Sequence, residues 1–130
     1  MCHETAVHRV DAARAVGGPL GIDALQAADG VDEVLGVMFR LGLRSTAAPP
    51  SPTLHLHRTD PGDGFAEWLV SVDEDGVVVV DYEHGRGDVA VRAAASDLLL
   101  FLWGRIDVDD HRLEVHGDRQ LARGWGALTP

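Results

Sequence analysis

The sequence predicts an α+β fold: an antiparallel sheet of about four or five strands with helices packed on one face, preceded by one or two N-terminal helices. Three observations predict it. From Thr53 the apolar period changes to two, with Leu54 and Leu56 on one face and His55 and His57 on the other, the alternation of a half-buried strand. Asp75-Gly76 stands between Trp68–Val72 and Val77–Tyr82, a two-residue hairpin signal that pairs the flanking strands antiparallel. Leu98–Trp103 is apolar almost all round, so a helix there must be buried.

Taken in order, residues 3–15 read as the end of a helix. Ala6, Ala12, Ala13 and Ala15 favour it, and Gly17-Gly18-Pro19 stop it. A second helix is expected over Val31–Leu41, with Asp29 or Gly30 near its cap and Asp32 and Glu33 in its first turn, where the helix dipole favours acids. Val31, Val34, Leu35, Met38 and Leu41 are its apolar stripe. The proline-rich run Ala47–Pro52 cannot hold regular structure and makes residues 45–52 a linker.

The strand Thr53–Arg58 is broken by Asp60-Pro61-Gly62-Asp63-Gly64, and Val89–Arg92 resumes the strand pattern after the hairpin. Ser96 or Asp97 caps the apolar helix, which Gly104 can end. Leu113–His116 reads as the last strand. Gly117 turns it, and Asp118 can cap a terminal helix from Arg119 to about Leu128, weakened by Gly124 and Gly126.

Composition narrows the function classes. At 130 residues with 45% hydrophobic content, the chain suffices for one cored domain and is short for two. The net charge is -10, and every basic residue other than histidine is arginine. Nucleic-acid binding rests on clustered cations, so no nucleic-acid partner is expected. The longest apolar run, Leu98–Trp103, is far too short to cross a bilayer, and no basic segment with an apolar signal core follows Met1. The expectation is a soluble, cytoplasmic protein with no membrane partner. Cys2 is the only cysteine, which excludes an intrachain disulfide and cysteine-based zinc sites.

On a helix, Glu4 and His8 stack one turn apart and can reach one metal ion, but a catalytic metal needs about three protein ligands. His55-x-His57 puts two imidazoles on one strand face and reads as a solvated face rather than a metal pair. Asp73-x-Asp75-Gly76 fails as a calcium loop, because Val77, Val78 and His84 occupy its fifth, sixth and twelfth positions. Arg86-Gly87-Asp88 reads as a turn between strands, and Asp107, Asp109 and Asp110 as a solvated acidic edge. Ser96, Asp97 and His111 make a triad by composition only, since no nucleophile elbow surrounds the serine.

Four segments in this order, His3–Ala12, Ala28–Glu33, Leu54–Asp60 and Ala95–Arg105, resemble actinobacterial proteins of the mycothiol-dependent maleylpyruvate isomerase family. The resemblance runs from His3 to Trp125. It implies an N-terminal DinB-like four-helix bundle, with a divalent metal on a His from an early helix and a Glu and a His from a late one. Beside the bundle it implies a smaller C-terminal α+β domain similar to sterol carrier proteins. Glu4 and His8 match the late-helix pair. The early-helix His has no counterpart here, and His3 points about 100° away from Glu4 on a helix.

Residues 1–16 are therefore expected to be a remnant of the last bundle helix. Residues 17–130 are expected to be the C-terminal domain, with its helix at about 31–41, linker at 45–52, and sheet and helices over 53–128. The family's chemistry is cis–trans isomerisation or related thiol-dependent transfer, so the resemblance implies a divalent, zinc-like metal and mycothiol; the chain on its own is expected to hold no cofactor. In the family a C-terminal-domain arginine at the cleft clamps a substrate carboxylate, a role for which Arg105 is the candidate and Arg58 the second choice. Three functional classes follow. One is a non-catalytic accessory domain. Another is a metal-dependent isomerase or transferase completed by a second chain, either a homodimer partner or a separate bundle-containing protein. The third is a carrier of a small apolar ligand.

Overall fold

The computed structural model describes residues 2–15, 22–38, 53–61, 66–72 and 78–126. Helix α1 spans Cys2–Ala15, and α2 spans Ala24–Glu33 and runs on as a wider π turn over Val34–Met38. Strands β1 (Thr53–Arg58), β2 (Glu67–Val72), β3 (Val78–Asp81) and β4 (Val89–Ala93) follow. Helix α3 (Ala95–Leu102), strand β5 (Glu114–Gly117) and helix α4 (Arg119–Gly126) complete the order. The expected Gly17-Gly18-Pro19 stop, the 45–52 linker, the Asp75-Gly76 turn and positions 39–41 and 127–128 lie outside the described residues.

The sheet has five strands in the order β3-β2-β1-β4-β5. It is mixed, which corrects the expectation of a purely antiparallel sheet. β1 pairs antiparallel with β2, and β2 with β3, as alternation and the hairpin signal require. β4 then lies parallel to β1, Leu54 opposite Val89 and Arg58 opposite Ala93. A parallel pairing needs a crossover, and residues 82–88 supply it: they run back from the end of β3 to the start of β1, where Asp88 Oδ2 accepts from Thr53 Oγ1 at 2.7 Å.

One face of this sheet is apolar and the other polar. Leu54, Leu56, Trp68, Val70, Val89 and Val91 are fully buried with Leu98–Leu102 of α3 and Ala27, Ala28 and Val31 of α2 in one core. α3 is buried almost all round, as its composition demands. Ala6, Val7 and Val10 of α1 belong to the same core. The expected bundle remnant is thus packed on the α+β unit.

Two helix starts differ from the sequence expectation. α2 begins at Ala24, not near Val31, because Asp23 is its cap and accepts from Gln26 N at 3.2 Å. Asp29 and Gly30 lie inside the helix. α3 begins at Ala95 with no side-chain cap from its own sequence; Asp60 Oδ1 accepts from Ala95 N at 3.2 Å instead. Ser96 is drawn elsewhere, its Oγ accepting from Ile22 N. Asp118 caps α4 as expected, accepting from Gln120 N at 2.8 Å, after Gly117 turns the chain at φ +106°.

A histidine–glutamate cluster on the polar face

Strand alternation that sends Leu54 and Leu56 into the core sends His55 and His57 to the opposite face. In the β1–β2 register His57 stands opposite Glu67. The crossover passes above them and adds His84. Gly87 lets it come that close, since a Cβ there would sit 2.9 Å from the backbone nitrogen of His55, and Gly85 lies over the Leu69 side chain.

The result converges on one atom. Glu67 Oε1 accepts from His84 Nδ1 at 2.6 Å, His57 Nδ1 at 2.9 Å and His55 Nε2 at 3.2 Å. His55 sets its ring edge-on to His84 at 5.2 Å and to His57 at 6.2 Å between centroids. Burial is graded: His55 is 7% exposed, whereas the His84 side chain is 78% exposed. The hydrogen bond from His84, with that from His57, lowers Glu67 to about 2 and keeps it ionised. Burial lowers His55 despite the carboxylate beside it, favouring neutral imidazole. His55 and His84 also wall an open groove of about 600 Å³ that Arg86, Asp88 and His116 help to line.

The residues singled out from sequence are placed differently. Arg105, at the end of α3, is bidentate to the chain's own Asp11 on α1, with Nε to Oδ1 at 3.0 Å and Nη2 to Oδ2 at 2.9 Å. This is the geometry a substrate carboxylate would take in a clamp. Its Nη1 donates to Trp103 O, and its own carbonyl accepts from Arg14 Nη1. Arg58 is 4% exposed, with Nε donating to Asp60 Oδ1 at 2.9 Å and Nη2 to Pro61 O at 3.1 Å.

Glu4 and His8 both lie on α1, and the Glu4 side chain is outside the described residues. His8 is exposed, its Nδ1 3.6 Å from Asp11 Oδ2, and it joins no group of three or more metal-type side chains among the described residues. Ser96, Asp97 and His111 form no triad: Ser96 bonds Ile22, and His111 is almost fully exposed beside Asp110. The acidic edge is balanced by arginines, Asp107 by Arg123, Asp109 by Arg119 and Asp110 by Arg112.

Sequence reasoning named His55 and His57 and missed Glu67 and His84. Glu67 becomes visible once β1 and β2 are put in register, because the residue facing His57 is then a carboxylate. Nothing local marks His84, which reaches the cluster only through the crossover.

The fold, an antiparallel hairpin layer widened by a parallel strand and covered by helices on one face, is sterol carrier protein-like. A ubiquinone synthesis protein of this class, UbiJ-SCP2, superposes with a TM-score of 0.52 at 24% identity, over 75% of this chain and 90% of that one. Sterol carrier protein-2 from Aedes aegypti, solved with palmitate, superposes with a TM-score of 0.54 at 13% identity, over 78% of this chain and 97% of that one. The MDMPI C-terminal domain model matches residues 26–124, and the chain belongs to this family, the C-terminal domains of mycothiol-dependent maleylpyruvate isomerase proteins. No curated protein sequence matches it.

Proposed function

We propose that this chain acts as an accessory domain that fixes the orientation of α1 and does not itself carry out the family's isomerisation. The observation that carries this reading is the bidentate Arg105–Asp11 bridge, which ties α1 to the end of α3. It acts with the burial of Ala6, Val7 and Val10. Together they hold one side of α1 on the domain and leave His8 exposed. An arginine engaged in this way positions a helix that the family resemblance assigns to metal binding, and its Nε–Nη2 edge is already taken by Asp11.

Carriage of an apolar ligand has only the fold likeness behind it. The space between helices and sheet is occupied by Trp68, Phe101, Trp125 and the leucines around them.

The test is turnover. Purified chain supplied with maleylpyruvate, mycothiol and zinc is expected to leave the isomerisation rate at that of buffer. A rate that rises in proportion to chain concentration and falls in Arg105→Ala would overturn the accessory reading.

A further inference from the structure

We infer that His55, His57, His84 and Glu67 form a binding site for an imidazole-preferring divalent ion of the zinc type, on the polar face of the sheet and separate from the Glu4–His8 pair of α1. The donor set fits the ion: three ring nitrogens and a carboxylate oxygen are the ligands zinc takes when cysteine is absent. Their ligand atoms all lie within 4.8 Å of one another, and no other group of three or more such side chains does so among the described residues.

The hydrogen bonding points the same way. A carboxylate oxygen has about two lone pairs in its plane, and Glu67 Oε1 faces three imidazole nitrogens. Protons alone crowd that oxygen. A central cation removes the crowding, because each nitrogen then turns its own lone pair to the ion. A tetrahedral ion with bonds of about 2.0–2.1 Å separates its ligand atoms by about 3.3 Å. Nitrogen-to-oxygen distances of 2.6–3.2 Å need only open slightly to reach it, while the nitrogens close in on one another.

The frame holds the ligands at graded depth. His55 and His57 are fixed by β1 and Glu67 by β2. His84 sits on the crossover, where Gly87 lets the backbone lie against the sheet. The whole chain carries a net charge of -10, which draws cations toward its surface. His55 and His84 also wall the open groove, so an ion can reach the cluster from solvent.

The experiment uses the full chain, stripped with chelator and titrated with cobalt(II) and then zinc(II). One equivalent of cobalt is expected to give the visible bands of a four-coordinate ion, and one equivalent of zinc to abolish them. His84 is largely exposed, so His84→Ala keeps the fold, verified by circular dichroism. It is expected to weaken binding at least about tenfold, since losing even an outer contact of a metal ligand costs that much. His57→Ala is expected to do the same, and His116→Ala and His8→Ala are expected to bind like the parent. Failure of the parent to bind one equivalent, or affinity unchanged in either His84→Ala or His57→Ala, overturns the site. So does binding abolished by His8→Ala, which places the ion on α1. None of these results bears on the turnover test above.

Discussion

Asp60→Ala is expected to cost about 3 kcal/mol of folding stability, measured as a shift in urea midpoint at unchanged slope. Arg58 is 4% exposed and directs its Nε at Asp60 Oδ1, 2.9 Å away. The same oxygen accepts from Ala95 N, the first helical N–H of α3. One substitution therefore removes a carboxylate partner of a buried guanidinium and the cap of the most buried helix. Breaking a buried pair by deleting one member costs about 3–5 kcal/mol. The low end applies because the Asp60 side chain is 26% exposed and water reaches it. Asp60→Asn retains an acceptor and is expected to lose less than half as much. A loss under about 1 kcal/mol for Asp60→Ala, the scale of a surface pair, would show that Arg58 is not held by this contact.

Trp68→Ala is expected to be more damaging still, at about 4 kcal/mol. Trp68 is fully buried on the core face of β2 and pairs in register with Leu56 at the centre of the sheet. A domain of this size has roughly 5–15 kcal/mol in total, so the variant is expected to melt far below the parent. Trp68→Phe keeps most of the ring volume and is expected to recover the larger part of the loss. Equal melting of Trp68→Ala and the parent would mean that the core is not closed over β2.

The sequence made some elements plain and hid others for physical reasons. Alternation over Thr53–Arg58 gives both the strand and the identity of its two faces, because side-chain direction has period two whatever the neighbours are. The helix of Leu98–Trp103 needs a core on every side, and it has one. Asp118 before Arg119 is a cap readable by eye. The cap of α2 was equally readable: Asp23 precedes Gln26 by three residues, the spacing of a reciprocal cap, but the denser apolar stripe after Val31 drew the boundary seven residues late. The parallel β1–β4 pairing was not readable, since hairpin signals are local and a crossover of residues 82–88 looks like any loop. That one pairing decides the polar face. It carries His84 over Glu67, and it turns a His-x-His that reads as solvated surface into part of a four-residue cluster. The capping of α3 by Asp60, 35 residues away, is hidden for the same reason.

Hydrogen exchange on α1 reads directly whether the domain holds this helix. A helix of 14 residues with no partner is marginal in water and exchanges its amides almost freely. Val7, Val10 and the Asp11–Arg105 bridge hold α1 on the domain. Exchange from Val7 to Asp11 is therefore expected to be slow in the parent and at least about tenfold faster in Asp11→Ala, the effect of losing about 1.4 kcal/mol of local stability. Free exchange of these amides in the parent, with α3 protected, would contradict this.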